Sequence, residues 1–127
     1  LITNQSPWPT GFTQQQTLLK KGTTFEMALS PGQPTTRPGA FGTFDKIKNV
    51  SFVRNRLAVK QAWKPRIDRA VTYEVVNDMP ANIGPVGPQI DKGLGRFLPG
   101  GASQVELLVP SNQRMNYLRI IRQRRIH

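Results

Sequence analysis

The chain has 127 residues, no cysteine, one histidine, and eighteen Lys and Arg against seven Asp and Glu, a formal charge of +11. Without thiols it can hold no disulfide, thiolate metal site or cysteine nucleophile, and no apolar run reaches the ~18–20 residues of a membrane helix. Its length suits one domain with a real core, and its calculated pI of 11.2 points to a polyanionic partner, RNA first among them.

Eleven glycines and eleven prolines favour short elements joined by many turns. Residues 1–11 (LITNQSPWPTG) read as an irregular lead-in, the remnant of a linker. They show neither an initiator Met nor a signal-peptide pattern, so a fragment of a larger protein is expected, with one domain over 12–127. Residues 13–21 suggest a short helix with Phe12, Leu18 and Leu19 on one face and Gly22 as its stop. Residues 23–29 (TTFEMAL) read as a strand. Residues 30–43 form a turn-rich loop of the length that is often functional.

Residues 50–59 and 71–76 are the next strand candidates, and Pro65 ends an element between them. Residues 79–91 (MPANIGPVGPQID) read as a second Gly/Pro-rich loop. A Gly100-Gly101 turn then precedes a strand over 104–109, closed by Pro110. Residues 114–126 suit either a last strand or a basic helix, because Met115, Leu118 and Ile121 have helical spacing while Tyr117, Arg119 and Ile121 alternate. The expected fold is α+β: a short N-terminal helical part, then a twisted antiparallel sheet of four to five strands.

Most common enzyme sites find no residues here. The single histidine is the terminal His127, which leaves no Ser-His-Asp triad, no two-histidine RNase and no histidine-rich zinc site. Neither phosphate-binding glycine pattern is present, since Lys92-Gly-Leu-Gly-Arg96 has the wrong spacing for both. Seven acids give thin support to two-metal chemistry. No metal or cofactor is expected.

What remains is basic. Residues 52–69 hold Arg54, Arg56, Lys60, Lys64, Arg66 and Arg69 together with Phe52 and Trp63. If Val53, Leu57 and Val59 turn inward along a strand, Arg54, Arg56 and Lys60 face the other way. Such a face suits a phosphate backbone with bases stacked on aromatic rings, although for Trp63 a place in the core is favoured, since large aromatics are usually buried. RNA is cleaved without histidine if a base takes the 2′-hydroxyl proton and cations steady the phosphorane. Arg54, Lys64, Asp68 and Gln104 are the candidates for that catalysis, and Arg56, Lys60, Trp63, Arg66 and Arg119 for RNA binding. The terminal run Arg114, Arg119, Arg122, Arg124 and Arg125 keeps a non-enzymatic RNA-binding module as an alternative.

A second constellation is Leu98-Pro-Gly-Gly-Ala-Ser-Gln104-Val-Glu106-Leu-Leu-Val-Pro110. Strand alternation puts Gln104 and Glu106 on one face. A Gln-x-Glu at a strand start after a Gly-rich turn resembles the catalytic strand of ADP-ribosyltransferases. With Tyr73-Glu-Val and Gly84-Pro-Val-Gly-Pro88 it also resembles the tuberculosis-necrotizing-toxin NAD glycohydrolases. Either resemblance implies that Gln104 and Glu106 orient a nicotinamide ribose for cleavage. The Arg-Gly strand opening and Ser-Thr-Ser strand of the transferases are missing.

The segments PGAFGTFDKI, FVRNRLAVKQAWKPRID, YEVV, IGPVGPQID and FLPGGASQVELLV, spanning roughly residues 23–109, together resemble C-terminal toxin tips of large bacterial exoproteins. Contact-dependent growth-inhibition proteins of the CdiA type are among these. That resemblance implies a fold like that of barnase, EndoU and the anticodon-nuclease colicins, and metal-independent RNase activity, most directly on tRNA. It further implies a monomeric toxin paired with a cognate acidic immunity protein, secreted or displayed at the cell surface and delivered into a target cell's cytoplasm. Consumption of NAD through Gln104 and Glu106 is the alternative chemistry.

Overall fold

The structure, a computed structural model, describes residues 6–127; the first five residues of the expected lead-in lie outside them. The elements in chain order are β1 (Gln15–Leu19), β2 (Thr24–Leu29), β3 (Phe41–Gly42), α1 (Val50–Asn55), β4 (Arg69–Val75), β5 (Met79–Pro85), β6 (Gln89–Asp91), β7 (Arg96–Leu98), β8 (Ser103–Leu107) and β9 (Leu118–Arg125). A 3₁₀ turn, Ser111–Asn116, precedes β9. Two antiparallel sheets, β1-β5-β8-β3 and β2-β4-β9, carry the fold, with β6 and β7 as a separate hairpin. No helix among the described residues is long and apolar enough to cross a membrane.

Alternation along the strands builds the core. Phe25, Met27 and Leu29 of β2 and Val71, Tyr73 and Val75 of β4 turn to one side. There they meet Leu19, Met79, Ala81, Val105 and Leu107 of the other sheet. Each large aliphatic side chain so buried contributes about 1.5–3 kcal/mol. The opposite face of β2-β4-β9 is covered by the α1 segment, where Ile47, Val53, Ile67, Ala70 and Ile126 form a second cluster. Glu26, on that face, accepts from Arg124 Nη1 (2.9 Å) and Nη2 (2.7 Å), from the Thr72 hydroxyl (2.8 Å) and from the Ile47 N–H (2.8 Å).

Several expected elements differ. Residues 13–21 are not a helix: β1 pairs with β5 along its whole length, and Leu18 and Leu19 part, one exposed and one buried. Pairing with a distant strand overrides local helical spacing here. The helical start expected of a barnase-type layout is therefore a strand, and the one α-helix follows β3. That helix lies within residues 50–59, expected to be a strand. Asn49 caps it, its Oδ1 accepting from the Phe52 N–H at 2.8 Å, which is a strong start signal in the sequence.

Residues 79–85 and 89–91 are strands rather than parts of one loop, and only residues 86–88 between them have no regular structure. Pro80 and Pro85 stand near the two ends of β5, and Pro80 still accepts a hydrogen bond from Leu108 N–H at 3.2 Å, so the missing proline donors are tolerated. Residues 118–125 are a strand whose register shifts between Thr72 and Tyr73. The bulge explains the mixed periodicity: Leu118 and Ile120 join the inter-sheet core, and beyond it Ile126 joins the cluster under α1. One extra residue exchanges the faces of a strand.

The Glu26–Arg124 pair generates a test. Burial pushes the Glu26 carboxyl up, but Arg124, the Ile47 amide and the Thr72 hydroxyl together outweigh it and hold the group below its ordinary 4.5. Arg124→Met is expected to cost about 2–3 kcal/mol, somewhat less than a fully buried pair because both partners keep some exposure. A depressed carboxyl contributes stability that is complete above its unfolded pKa and is lost as pH falls through the folded one. Thermal melts should therefore show the widest gap between wild type and variant near neutral pH, narrowing below 4.5. A gap constant down to about pH 3 would detach it from Glu26 ionisation.

Candidate functional site

The Gln104–Glu106 strand is held in place from three sides. Asp45 accepts from Ser103 N–H (2.8 Å) and its hydroxyl (2.9 Å), and the Ser103 oxygen meets Thr43 Oγ1 (3.0 Å) and accepts from Phe44 N–H (2.9 Å). The Ser103 backbone donor, then its side chain, holds the Asp45 carboxyl below its ordinary value. The end of α1 clasps the preceding turn. Asn55 carbonyl accepts from Gly100 N–H (2.7 Å), Arg56 carbonyl from Ala102 N–H (3.2 Å), and Arg56 Nε donates to Gly100 carbonyl (3.3 Å). Gly100 has φ +72°, and a Cβ there would stand 2.7 Å from Val86 oxygen, so the Gly-Gly turn is obligatory. The third support is the N-terminal segment. Pro7 carbonyl accepts from Gln104 Nε2 (3.2 Å) and from Gly87 N–H (2.9 Å), while Trp8 is buried and stacks on Phe12.

Two cavities, each about 360 Å³, meet at Gln104, which is only 5% exposed. The first is largely apolar, walled by β2 around Glu26 to Ala28, by residues 39–42, by Val53, Leu57 and Val59, and by Trp63, Lys64 and Gln104. The second lies against Phe12, Gln15, Phe44, Ile83, Gly84 and Ser103. A volume of this order suits a small organic ligand. Loop 30–40, which supplies part of the first wall, is pinned by the side chains of four residues. Arg69 Nη2 donates to the carbonyls of Ser30 and Gln33 (both 2.6 Å), Tyr73 hydroxyl to Thr35 carbonyl (2.6 Å) and Arg114 Nη1 to Pro38 carbonyl (3.1 Å). Lys64 Nζ adds Ser30 Oγ (3.3 Å) and Gln33 Oε1 (3.4 Å). Ala58, at φ +49°, is the single non-glycine residue in the left-handed region among those described, and it lies between two residues of the cavity wall.

On β8 the register sets Glu106 between Asn82 of β5 and Phe41 of β3. Asn82 Nδ2 donates to Glu106 Oε1 at 3.0 Å, and Phe41 lines the first cavity. The other acids are taken up by the fold: Glu26 by Arg124, Asp68 by Arg69, Glu74 by Arg119, Asp78 by Lys20, Asp45 by Ser103, and Asp91 by the N–H groups of Gln61 and Leu94. Among the described residues, Glu106 is the one carboxylate that meets neither a cation nor a backbone N–H.

Trp63, Lys64 and Gln104, all singled out in the sequence, come together in the first cavity. Trp63 is not a core residue: it is 44% exposed, and Lys60 Nζ stands 5.0 Å above its ring. Burial, and then the charge of Arg54, lower the Lys64 pKa. The strand face expected for Arg54, Arg56 and Lys60 does not exist, since Arg54 is on α1. It is 7% exposed and donates to the carbonyls of Val59 and Pro65 (both 3.2 Å), a structural engagement. Asp68, Arg66 and Arg119 line neither cavity. Asp68 pairs with Arg69, Arg66 is exposed, and Arg119 pairs with Glu74 on the far sheet. Asn82 and Phe41 escaped the sequence reading because their place beside Glu106 depends on long-range register. No group of three or more His, Cys, Asp or Glu is placed to hold a metal among the described residues.

No protein-family model matches the chain, and none of the curated proteins matches it. Solved structures do. Tne2, in its complex with Tni2, superposes with TM-score 0.75 at 20% identity over 94% of this chain and 97% of its own. Rhs1-CT, in complex with its cognate immunity protein RhsI1, gives 0.55 at 19% over 89% and 81%. Tse6, in complex with Tsi6, gives 0.54 at 15% over 87% and 72%. Likeness at these identities establishes a shared fold.

Two substitutions check the site's scaffolding. Arg54→Met removes a buried cation with two carbonyl acceptors and should cost about 2–3 kcal/mol in urea melts, whereas Lys64→Met should stay within about 1 kcal/mol. Equal, small losses would return Arg54 to a purely functional role. In Gly87→Ala the new Cβ would lie 2.5 Å from the Trp8 carbonyl carbon and 2.6 Å from Pro9 nitrogen, so the segment must lift. Trp8 fluorescence should shift to the red, and an unchanged spectrum would deny the contact.

Proposed function

We propose that the chain is the toxin domain of a toxin–immunity pair, delivered from a larger exoprotein, and that it breaks the nicotinamide–ribose bond of a nicotinamide dinucleotide. The observation that carries the chemistry is Glu106. In a chain with eighteen cations, this carboxylate is left to a single neutral amide. It lines neither cavity itself, but shares a strand face with Gln104, where the two cavities meet, and pairs across the sheet with Phe41 of the first cavity's wall. The toxin reading is supported by the shared fold with Rhs1-CT, held by its cognate immunity protein, and with Tne2 and Tse6, each in complex with a partner. The partner expected here is an acidic immunity protein, because opposite charge on a +11 domain speeds encounter.

The step breaks the C1′–N bond, whose electron pair goes to the ring nitrogen, so nicotinamide leaves neutral. The ribose carries positive charge as the bond opens, and Glu106 faces it with an unneutralised carboxylate in a partly desolvated site. Water, or an acceptor on a target, adds at C1′ and gives up its proton. Gln104 orients the ribose, and the aromatic rings of Phe41 and Trp63 receive flat groups in the cavity.

A second reading, metal-independent cleavage of tRNA by 2′-hydroxyl attack, is favoured by the charge of +11 and by Lys64. Its lowered pKa suits a base, Gln104 would steady the phosphate, and Trp63 would stack a nucleobase. That reading lacks a free partner in Arg54 or Asp68, both engaged by the fold.

The readings part in one experiment: purified protein with NAD and, separately, with total tRNA, both in EDTA, followed by a nicotinamide assay and a gel. Released nicotinamide with intact tRNA, lost by about 10²–10³-fold in Glu106→Gln at unchanged melting temperature, is the expected result. Discrete tRNA fragments with intact NAD would replace it with the RNase reading. Survival of both substrates with retained RNA binding would leave a binding module.

A further inference from the structure

We infer that Asn82 is a positioning residue that aims the Glu106 carboxylate while leaving its charge intact; this rests on the nicotinamide-cleaving reading. Asn82 lies on β5, an inner strand of the four-stranded sheet, directly opposite Glu106 in the ladder. The register forms one row across all four strands: Gln16, Asn82, Glu106, Phe41. Of these, Asn82 alone donates to the carboxylate, from Nδ2 to Oε1 at 3.0 Å, and Oε2 accepts from no described residue.

The neighbours along the face do not reach that pair: the Phe12 and Trp8 rings close over Gly84 instead, where a Cβ would stand 2.5 Å from the Phe12 ring. Two residues away on β5, along the same face, come Pro80 and Gly84, one with a short ring and the other with no side chain; Gly84 pairs with Gln104. Neither competes for the carboxylate. The choice of donor matters chemically. Lys or Arg at position 82 would hold Glu106 equally well but would cancel the negative charge that an oxocarbenium-like ribose needs. An amide fixes one oxygen through a neutral hydrogen bond, restricts rotation about the end of the side chain, and presents the second oxygen to the ligand. A glutamate without such a partner samples several rotamers, and a carboxylate misplaced by about 1 Å forfeits much of its effect.

The test uses the full chain and nicotinamide release. Asn82→Ala should lower kcat about 10–100-fold, in the range of a lost orienting partner, while KM changes by no more than about threefold and the melting temperature holds. Asn82→Gln, which keeps the amide, should recover part of that loss. Asn82→Asp sets two carboxylates side by side, so the acid limb of the pH–rate profile should move to higher pH, a signature that a packing role would not produce. Wild-type kcat in Asn82→Ala alongside an inactive Glu106→Gln would overturn the inference and keep the function. An acid limb unmoved in Asn82→Asp would overturn it equally, even where Asn82→Ala is unstable. Full activity in Glu106→Gln would instead remove the underlying reading.

Discussion

Glu26 is the point at which the layers of this domain are tied together. Its backbone N–H and carbonyl both pair with Thr43, each at 2.8 Å, which joins the edge of the three-stranded sheet to the short strand beside β8. Its side chain reaches the other way, to Thr72 on β4, Arg124 on β9 and the Ile47 amide ahead of α1. One residue thus connects both sheets and the helical layer. Gly42 keeps this crossing tight: a Cβ there would lie 2.7 Å from the Phe25 ring and 2.9 Å from Glu26 oxygen.

The site follows from that tie. Residues 39–42, drawn against β2, form one wall of the first cavity, and the paired strand β8 carries Gln104 and Glu106 past its end. The other walls come from segments with little regular structure, the turn after α1 and loop 30–40. These hold their shape because the buried Arg54, the half-buried Arg69 and Arg114 and the buried Tyr73 donate to backbone carbonyls. Tyr73 illustrates the demand: burial pushes its hydroxyl pKa up to about 12, and the neutral group is kept as a donor to Thr35. Much of the positive charge that dominates the sequence is therefore structural mortar, which is why charge alone is a poor guide to the substrate.

What the residues disclosed and what they concealed separate along a physical line. Strands β2, β4 and β8 were legible because alternating apolar side chains fill one core. The Gln104–Glu106 face was legible for the same reason. Strands β1 and β5 were not, since their pairing lies far apart in sequence and β5 carries Pro80, Gly84 and Pro85 where local rules argue for a loop. The helix α1 has its start signal in Asn49, while the β-branched Val50, Val53 and Val59 favour a strand locally. The carbonyl partners of Arg54 were not legible, because no side-chain pattern reveals a bond to the backbone. Glu106 stands out only after the partners of every other acid are known.

Strand β9 forms an outer edge of its sheet, with one row of backbone groups unclaimed by a neighbouring strand. Arg122 and Arg125 stand exposed along it beside the Arg119–Glu74 pair, a comb of positive charge that opposes the stacking of one copy's edge on another's. Guanidinium groups do not titrate in the physiological range, so acidity offers no way to disarm the comb. Dissolved ions do, since they shorten the reach of each charge to about 8 Å at physiological strength and to about 3 Å at 1 M. The tendency of this edge to pair with another copy is accordingly set by ionic strength, with dilute salt preserving the repulsion and concentrated salt removing it.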